Sequence, residues 1–256
     1  MFLKRILNDL RFKFHHTLSW SRPGYFEKSM GDLSAFDKPL QEEMLKLKSH
    51  YSMAYEERLS EENTRDNYFY LHLLDQSQKN WNFVSRQSEI LPEVLDVGSK
   101  NFYYVDTLHA FFKPKRLVGL EVDGHTIYHD LHSRKDYASY YLKPYPEACY
   151  VIENIFDYTG SFDIITCFYP FVFSETAINW SLPLSFFNPE KFFLKIESLL
   201  KNNGLFWMLN HGEEEWEAAQ KILAQTKLQP VGNFTEHSPL SSCDSAACVS
   251  LWKKVV

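Results

Sequence analysis

Glycine is scarce in this chain. Nine glycines serve 256 residues, and nowhere do three of them fall into the G-x-G-x-x-G spacing that lets a helix N-terminus approach a pyrophosphate. That absence counts against a nucleotide-dependent oxidoreductase. Cysteine is sparse too: Cys149, Cys167, Cys243 and Cys248 are widely spread and read as reduced thiols of a cytoplasmic protein. Positive charge is not in excess. A net charge of −6 argues against general nucleic-acid binding, which relies on basic surface to neutralise phosphates. No apolar run reaches the ~20 residues a membrane span requires. Met1 to Trp20 lacks the uninterrupted apolar region and small-residue cleavage site of a secretory signal, so none is expected. The sequence shows no internal repeat and no low-complexity linker.

What is present suits a soluble globular protein. Hydrophobic residues make up 45% and charged residues 23%, enough to bury a large core. Aromatic residues reach 16%, with 15 tyrosines, which fits either an aromatic-lined pocket or aromatic packing between helices and sheet.

The informative stretch is Glu93 to Gly124. Glu93 to Val97 is a short apolar run with β-branched residues, suited to a buried parallel strand. Gly98 follows where a tight strand-to-helix turn needs a residue without Cβ. Tyr103 to Phe112 places apolar side chains at helical spacing, and Lys113-Pro114-Lys115 stops the helix. Arg116 to Val122 is a second strand, with Glu121 near its end. Strand, glycine turn, helix and a second strand tipped with a carboxylate form the βαβ unit that binds a nucleoside cofactor. Asp96, two positions before Gly98, would repel a pyrophosphate but suit a ligand bearing an ammonium group.

This pattern resembles the first motif, acid-x-Gly-x-Gly-x-Gly, of the Rossmann-like, class I S-adenosylmethionine-dependent methyltransferases. The resemblance continues through Leu117 to Glu121, through Ser161-Phe162-Asp163-Ile164-Ile165 as a fourth strand, and through Leu199 to Phe206 as helix, turn and fifth strand. It implies an α/β fold, a mostly parallel sheet with an antiparallel last strand, flanked by helices over residues 91–256. It also implies S-adenosylmethionine as cofactor and no metal. Asp96, Gly98, Ser99, Lys100 and Asn101 would bind the cofactor at the turn that Asp96 and Gly98 shape, and Glu121 beside Val122 would hold the ribose. Asn154 (with Asp157 as rival) and Ile155 would meet the adenine, with Phe168 also on the cofactor. Lys100 and Phe102 stand where the family commonly has glycine; the Lys100 side chain would either point away from the ligand or meet the methionine carboxylate, and Phe102 would pack beneath the helix. Those missing glycines motivate an alternative, a non-catalytic binding or scaffold protein that kept the fold.

Residues 1–90 show no strand alternation and read as a helical cap that contributes substrate contacts. Phe2, Leu3, Ile6, Leu7 and Leu10 recur at helical spacing beside Lys4, Arg5, Arg11 and Lys13. Such a segment either docks on its own domain or lies on an anionic membrane surface. Further helices are expected over Pro39 to about Leu59 and Asp66 to Val84.

Downstream, Asp123 to about Tyr141 should be helical, which would place His125, His129 and His132 on one face; solvated surface suits that triplet better than a metal site. Arg134 and Asp136 read as local ion pairs. Cys149 to Ile155 is the third strand, and Phe162 to Phe168 the fourth, leading into Tyr169, Pro170 and Phe171 at the acceptor. That loop favours a small or aromatic substrate, though aromatic packing alone would also explain it. Pro189 to Leu200 is a helix and Leu205 to Asn210 the fifth strand. Asn210, His211 and Glu213 then sit at the pocket mouth, with His211 and Glu213 as candidate general bases. A helix over Trp216 to Thr226 and two strands, Leu228 to Glu236 and Ala247 to Lys253, complete the chain.

Overall fold

The computed structural model describes residues 2–84, 90–241 and 245–255, so Cys243 lies outside the described residues. Three helices come first: α1 (Phe2–Leu18), α2 (Lys38–Tyr51) and α3 (Glu61–Trp81). Then follow β1 (Glu93–Val97), α4 (Val105–Phe112), β2 (Arg116–Glu121), α5 (Arg134–Tyr141), β3 (Ala148–Ile152) and β4 (Phe162–Phe168). The remainder is α6 (Ser174–Asn179), α7 (Pro189–Leu199), β5 (Leu200–His211), α8 (Gly212–Leu223), β6 (Leu228–Glu236) and β7 (Ala247–Lys254). The seven strands make one sheet in the order β3-β2-β1-β4-β5-β7-β6. The first five are parallel, and β7 runs antiparallel to both of its neighbours.

Alternation along the central strands divides the core into two layers. Val94, Leu117, Ile164 and Trp207 pack on the α3 and α4 side, while Leu95, Val118, Ile165 and Phe206 pack under α7 and α8. Both faces of the parallel strands are covered, which is why they read as continuous apolar runs rather than alternating ones. Helix α3 is deeply sunk in the first layer, and its Ser77 hydroxyl accepts the indole N–H of Trp207 at 2.9 Å.

Several element boundaries differ from the sequence expectation, each for a local reason. Ser52 turns left-handed (φ 56°) and ends α2 at Tyr51, leaving only a short 3-10 turn over Tyr55–Glu57 before Leu59. Ser60 caps α3 and starts it at Glu61, its hydroxyl accepting the Asn63 N–H. β3 stops at Ile152. The turn expected before the fifth strand is a wide irregularity inside β5, where pairing with β4 jumps from Phe162–Leu200 to Ile164–Leu205 and Asn203 goes left-handed.

The largest correction concerns Asp123 to Tyr141. Helix forms only from Arg134, where Ser133 and Asp136 close a capping box. Upstream the chain folds back through a bridge between Ile127 and Ser133. His125, His129 and His132 therefore do not share a helical face. His125 stacks edge-on to His16, and His132 pairs with the Arg22 carbonyl. Among the described residues no group of three His, Cys, Asp or Glu side chains is placed to hold a metal, and no helix is long and apolar enough to cross a membrane.

Candidate functional site

A cavity of about 500 Å³ opens at the carboxyl ends of β1, β2 and β4, within the range of small-molecule sites. Ligands of open α/β sheets bind at this edge. The turn after β1 forms its floor. Gly98 has φ 79°, and a Cβ added there would meet no atom within 4 Å, so its missing side chain opens onto free space. Lys100 (φ 53°) and Phe102 (φ 57°) are also left-handed, although neither is glycine. A non-glycine residue in that region costs on the order of 1 kcal/mol and persists only where its surroundings fix it. Here they do. The Lys100 N–H donates to Glu121 Oε2 at 2.7 Å, the Lys100 carbonyl accepts the Tyr150 hydroxyl, and Phe102 is fully buried against Gly119. The turn keeps its shape without its glycines.

Glu121 is buried at the cavity wall. Its other oxygen accepts the Asp123 N–H at 2.8 Å, and the Arg134 guanidinium lies 3.4 Å away. Burial pushes the Glu121 carboxyl up, and the Arg134 charge opposes that. Two backbone donors occupy one lone pair on each oxygen, leaving acceptor capacity toward the cavity. The Lys100 ammonium sits 5.7 Å from the ring centres of both Tyr103 and Trp180; desolvation, then Arg134, lower its pKa.

The cavity brings together Gly98, Lys100, Glu121, Val122, Asn154, Ile155 and Phe168 with Tyr169, Pro170, Phe171 and His211. Asn154 Oδ1 also accepts the Phe156 N–H, so its turn-forming role is real, while its rival Asp157 is exposed and away from the cavity.

Five residues singled out in the sequence do not line it. Asp96 shares a sheet face with Gly119 and Glu121, but Tyr104 closes over it: its carboxylate accepts the Tyr104 hydroxyl at 2.8 Å and the Thr166 hydroxyl at 2.7 Å. Burial pushes its pKa up to about 7. Ser99 and Asn101 point into the protein beside the turn, and Asn210 is fully buried, its amide without a hydrogen-bond partner among the described residues. Glu213 is exposed, because α8 begins at Gly212 and turns it outward.

Glu215 faces the cavity instead. It accepts the His211 N–H at 3.1 Å, and burial raises its pKa. Among the other wall residues that went unnoticed as site residues in the sequence are Arg134, Asp66 and Trp180. No periodic or motif signal marks Asp66 or Trp180, and Arg134 read only as a local ion pair. Asp66 comes from α3, so the N-terminal helices supply part of the wall, including Phe69 and Tyr70.

No family model matches this sequence, and no curated protein matches it either. Solved structures do. The chain is similar to the N-methyltransferase NodS of Bradyrhizobium japonicum WM9 in complex with S-adenosyl-L-homocysteine, with 14% identity, 83% of this chain and 98% of that one covered, and a TM-score of 0.52. The fold is that of the class I S-adenosylmethionine-dependent methyltransferases. TrmN of Thermus thermophilus is similar at 10% identity, with 72% of this chain covered and a TM-score of 0.51; the chain spans about half of TrmN's length. At such identities the shared methyltransferase fold is what the likeness shows. In this chain the turn carries Lys100 and Phe102, with Tyr104 lidding Asp96.

Proposed function

We propose that this chain is a methyltransferase that takes S-adenosylmethionine as methyl donor and acts on a small-molecule acceptor. The observation that carries the reading is a cavity of about 500 Å³ floored by a left-handed turn and walled by Glu121, at the strand ends of a methyltransferase fold. The open space before Gly98 and the remaining acceptor capacity of Glu121 fit an adenosine-bearing ligand. Glu121 would take ribose hydroxyls, Asn154 and Ile155 the adenine, and Lys100 the methionine carboxylate as a charge-assisted contact. The bound cofactor supplies an electrophilic methyl carbon.

The chain's own residues position and shield the reaction. Tyr169 and Phe171 offer aromatic walls to an acceptor, and Phe168 offers one to the cofactor. His211 and Glu215, whose carboxylate accepts the His211 backbone N–H, stand at the mouth where a proton leaving the acceptor can be received. Asp96 serves the turn from behind Tyr104 and holds no ligand.

Lys100 and Phe102 in glycine positions favour the rival reading, a binding protein that keeps the fold without the cofactor. Isothermal titration with S-adenosylhomocysteine decides between them. Saturable heat in the micromolar range supports the enzyme; absence of both heat and thermal shift removes it.

A further inference from the structure

Helix α1 is docked with its polar side inward. The Asn8 amide donates to the Ile178 carbonyl at 3.0 Å, the Lys4 ammonium to Asn179 at 2.8 Å, and Phe12 packs on Phe186 with ring centres 4.7 Å apart. His15 meets Thr126 at 3.3 Å on the same side. At ~100° per residue, Leu3, Ile6, Leu7, Leu10, Phe14 and Leu18 fall within one arc of about 120° on the opposite side. All six are exposed, Leu3 at 68%, Phe14 at 61% and Leu10 at 59%. An apolar stripe on a docked helix normally faces the core; here it faces away from the molecule.

The helix carries four cations, Lys4, Arg5, Arg11 and Lys13, against one acid, Asp9, in a chain whose net charge is −6. On the helical wheel Arg11 borders the stripe on one edge and Lys13 on the other. Trp20, just past the helix, is also exposed.

We infer that the outward face of α1 binds an anionic lipid surface. Leucines and Phe14 would enter the boundary between headgroups and acyl chains, and the bordering cations would meet lipid phosphates, their stems lying along the apolar stripe. The charge pattern favours this occupant over a second copy of the chain. Two such stripes pressed together would oppose like charges along both edges, with Asp9 alone to compensate. Phe12 rests on Phe186, and Phe186 lines the cavity, so a chain held this way presents its cavity rim close to the lipid surface. The inference stands whether or not the cavity takes S-adenosylmethionine.

The test is co-sedimentation of the full chain with vesicles of phosphatidylcholine alone and of phosphatidylcholine mixed with phosphatidylglycerol. The chain should pellet with the mixed vesicles, much less with the neutral ones, and less as salt rises. A Leu7→Glu/Phe14→Glu variant alters only outward positions, so it should keep the parent Tm while its bound fraction falls about tenfold or more. No binding to mixed vesicles, or equal binding by the variant, overturns the inference. So does light scattering that finds a dimer in the parent and a monomer in the variant, with neither bound to lipid, since the face would then belong to a self-interface.

Discussion

The ring of Phe102 occupies the space over Gly119: a Cβ added at Gly119 would come within 2.7 Å of two ring carbons. Gly119 lies mid-strand in β2, where glycine is normally unfavourable, and its register partner is Asp96. The missing side chain is what lets a bulky residue stand at the third left-handed position of the turn.

Gly119→Ala should therefore destabilise the fold by about 1–3 kcal/mol through overpacking, read from urea unfolding midpoints. Phe102→Leu in the same chain should recover part of that loss. Strictly additive effects of the two substitutions would show that the ring is not the obstacle.

Asp96 should make stability pH-dependent. Burial pushes its carboxyl from 3.8 up to about 7, the two hydroxyls pulling the other way and Glu121 adding to the rise. Between those values the folded chain holds a proton that the unfolded chain has released. The group's contribution is thus complete below about pH 4 and is lost as pH rises through about 7. Relative to Asp96→Asn, the parent should lose roughly 3–4 kcal/mol across that window, followed by urea titrations from about pH 4 to 8. Parallel pH slopes in the two proteins would contradict this.

Glu121→Ala should weaken S-adenosylhomocysteine about ten- to hundredfold, the loss of hydrogen bonds to a charged acceptor. It also leaves Arg134 without its nearest carboxylate, so Glu121→Gln serves as the milder companion. Calorimetry gives the affinity and circular dichroism checks folding. An unchanged affinity in a folded variant takes the ribose role away from this residue.

Trp207→Phe removes the indole N–H that reaches Ser77 across the α3 layer. Losing a buried hydrogen bond and some core volume should cost about 1–3 kcal/mol. Hydrogen exchange of α3 amides should speed up together with the fall in unfolding midpoint; a fall without faster exchange there would place the loss elsewhere.

The sheet was legible because its signals are local. Apolar runs such as Val94 to Val97 and Leu117 to Leu120, the single turn glycine and the terminal Glu121 all lie within thirty residues of chain. The site was legible only where a strand end dictates position, as for Gly98, Glu121, Ile155 and Phe168. It was not legible where a helix start decides which way a carboxylate points. Beginning α8 at Gly212 rather than near Trp216 turns Glu213 to solvent and Glu215 inward. Nor could spacing show that Tyr104 seals Asp96, or that Arg134, brought round by the Ile127–Ser133 bridge, would come to Glu121. For α1, periodicity revealed two faces but not which one docks.

Helix α3 does two jobs with the same 21 residues. Asp66, Phe69 and Tyr70 shape the chamber, while Leu71, Leu73 and Ser77 grip the sheet a turn or two further along. Remodelling the chamber from this side means shifting a rod whose far end is wedged beneath the strands, so ligand range and heat tolerance will drift together in any lineage or library that varies these positions.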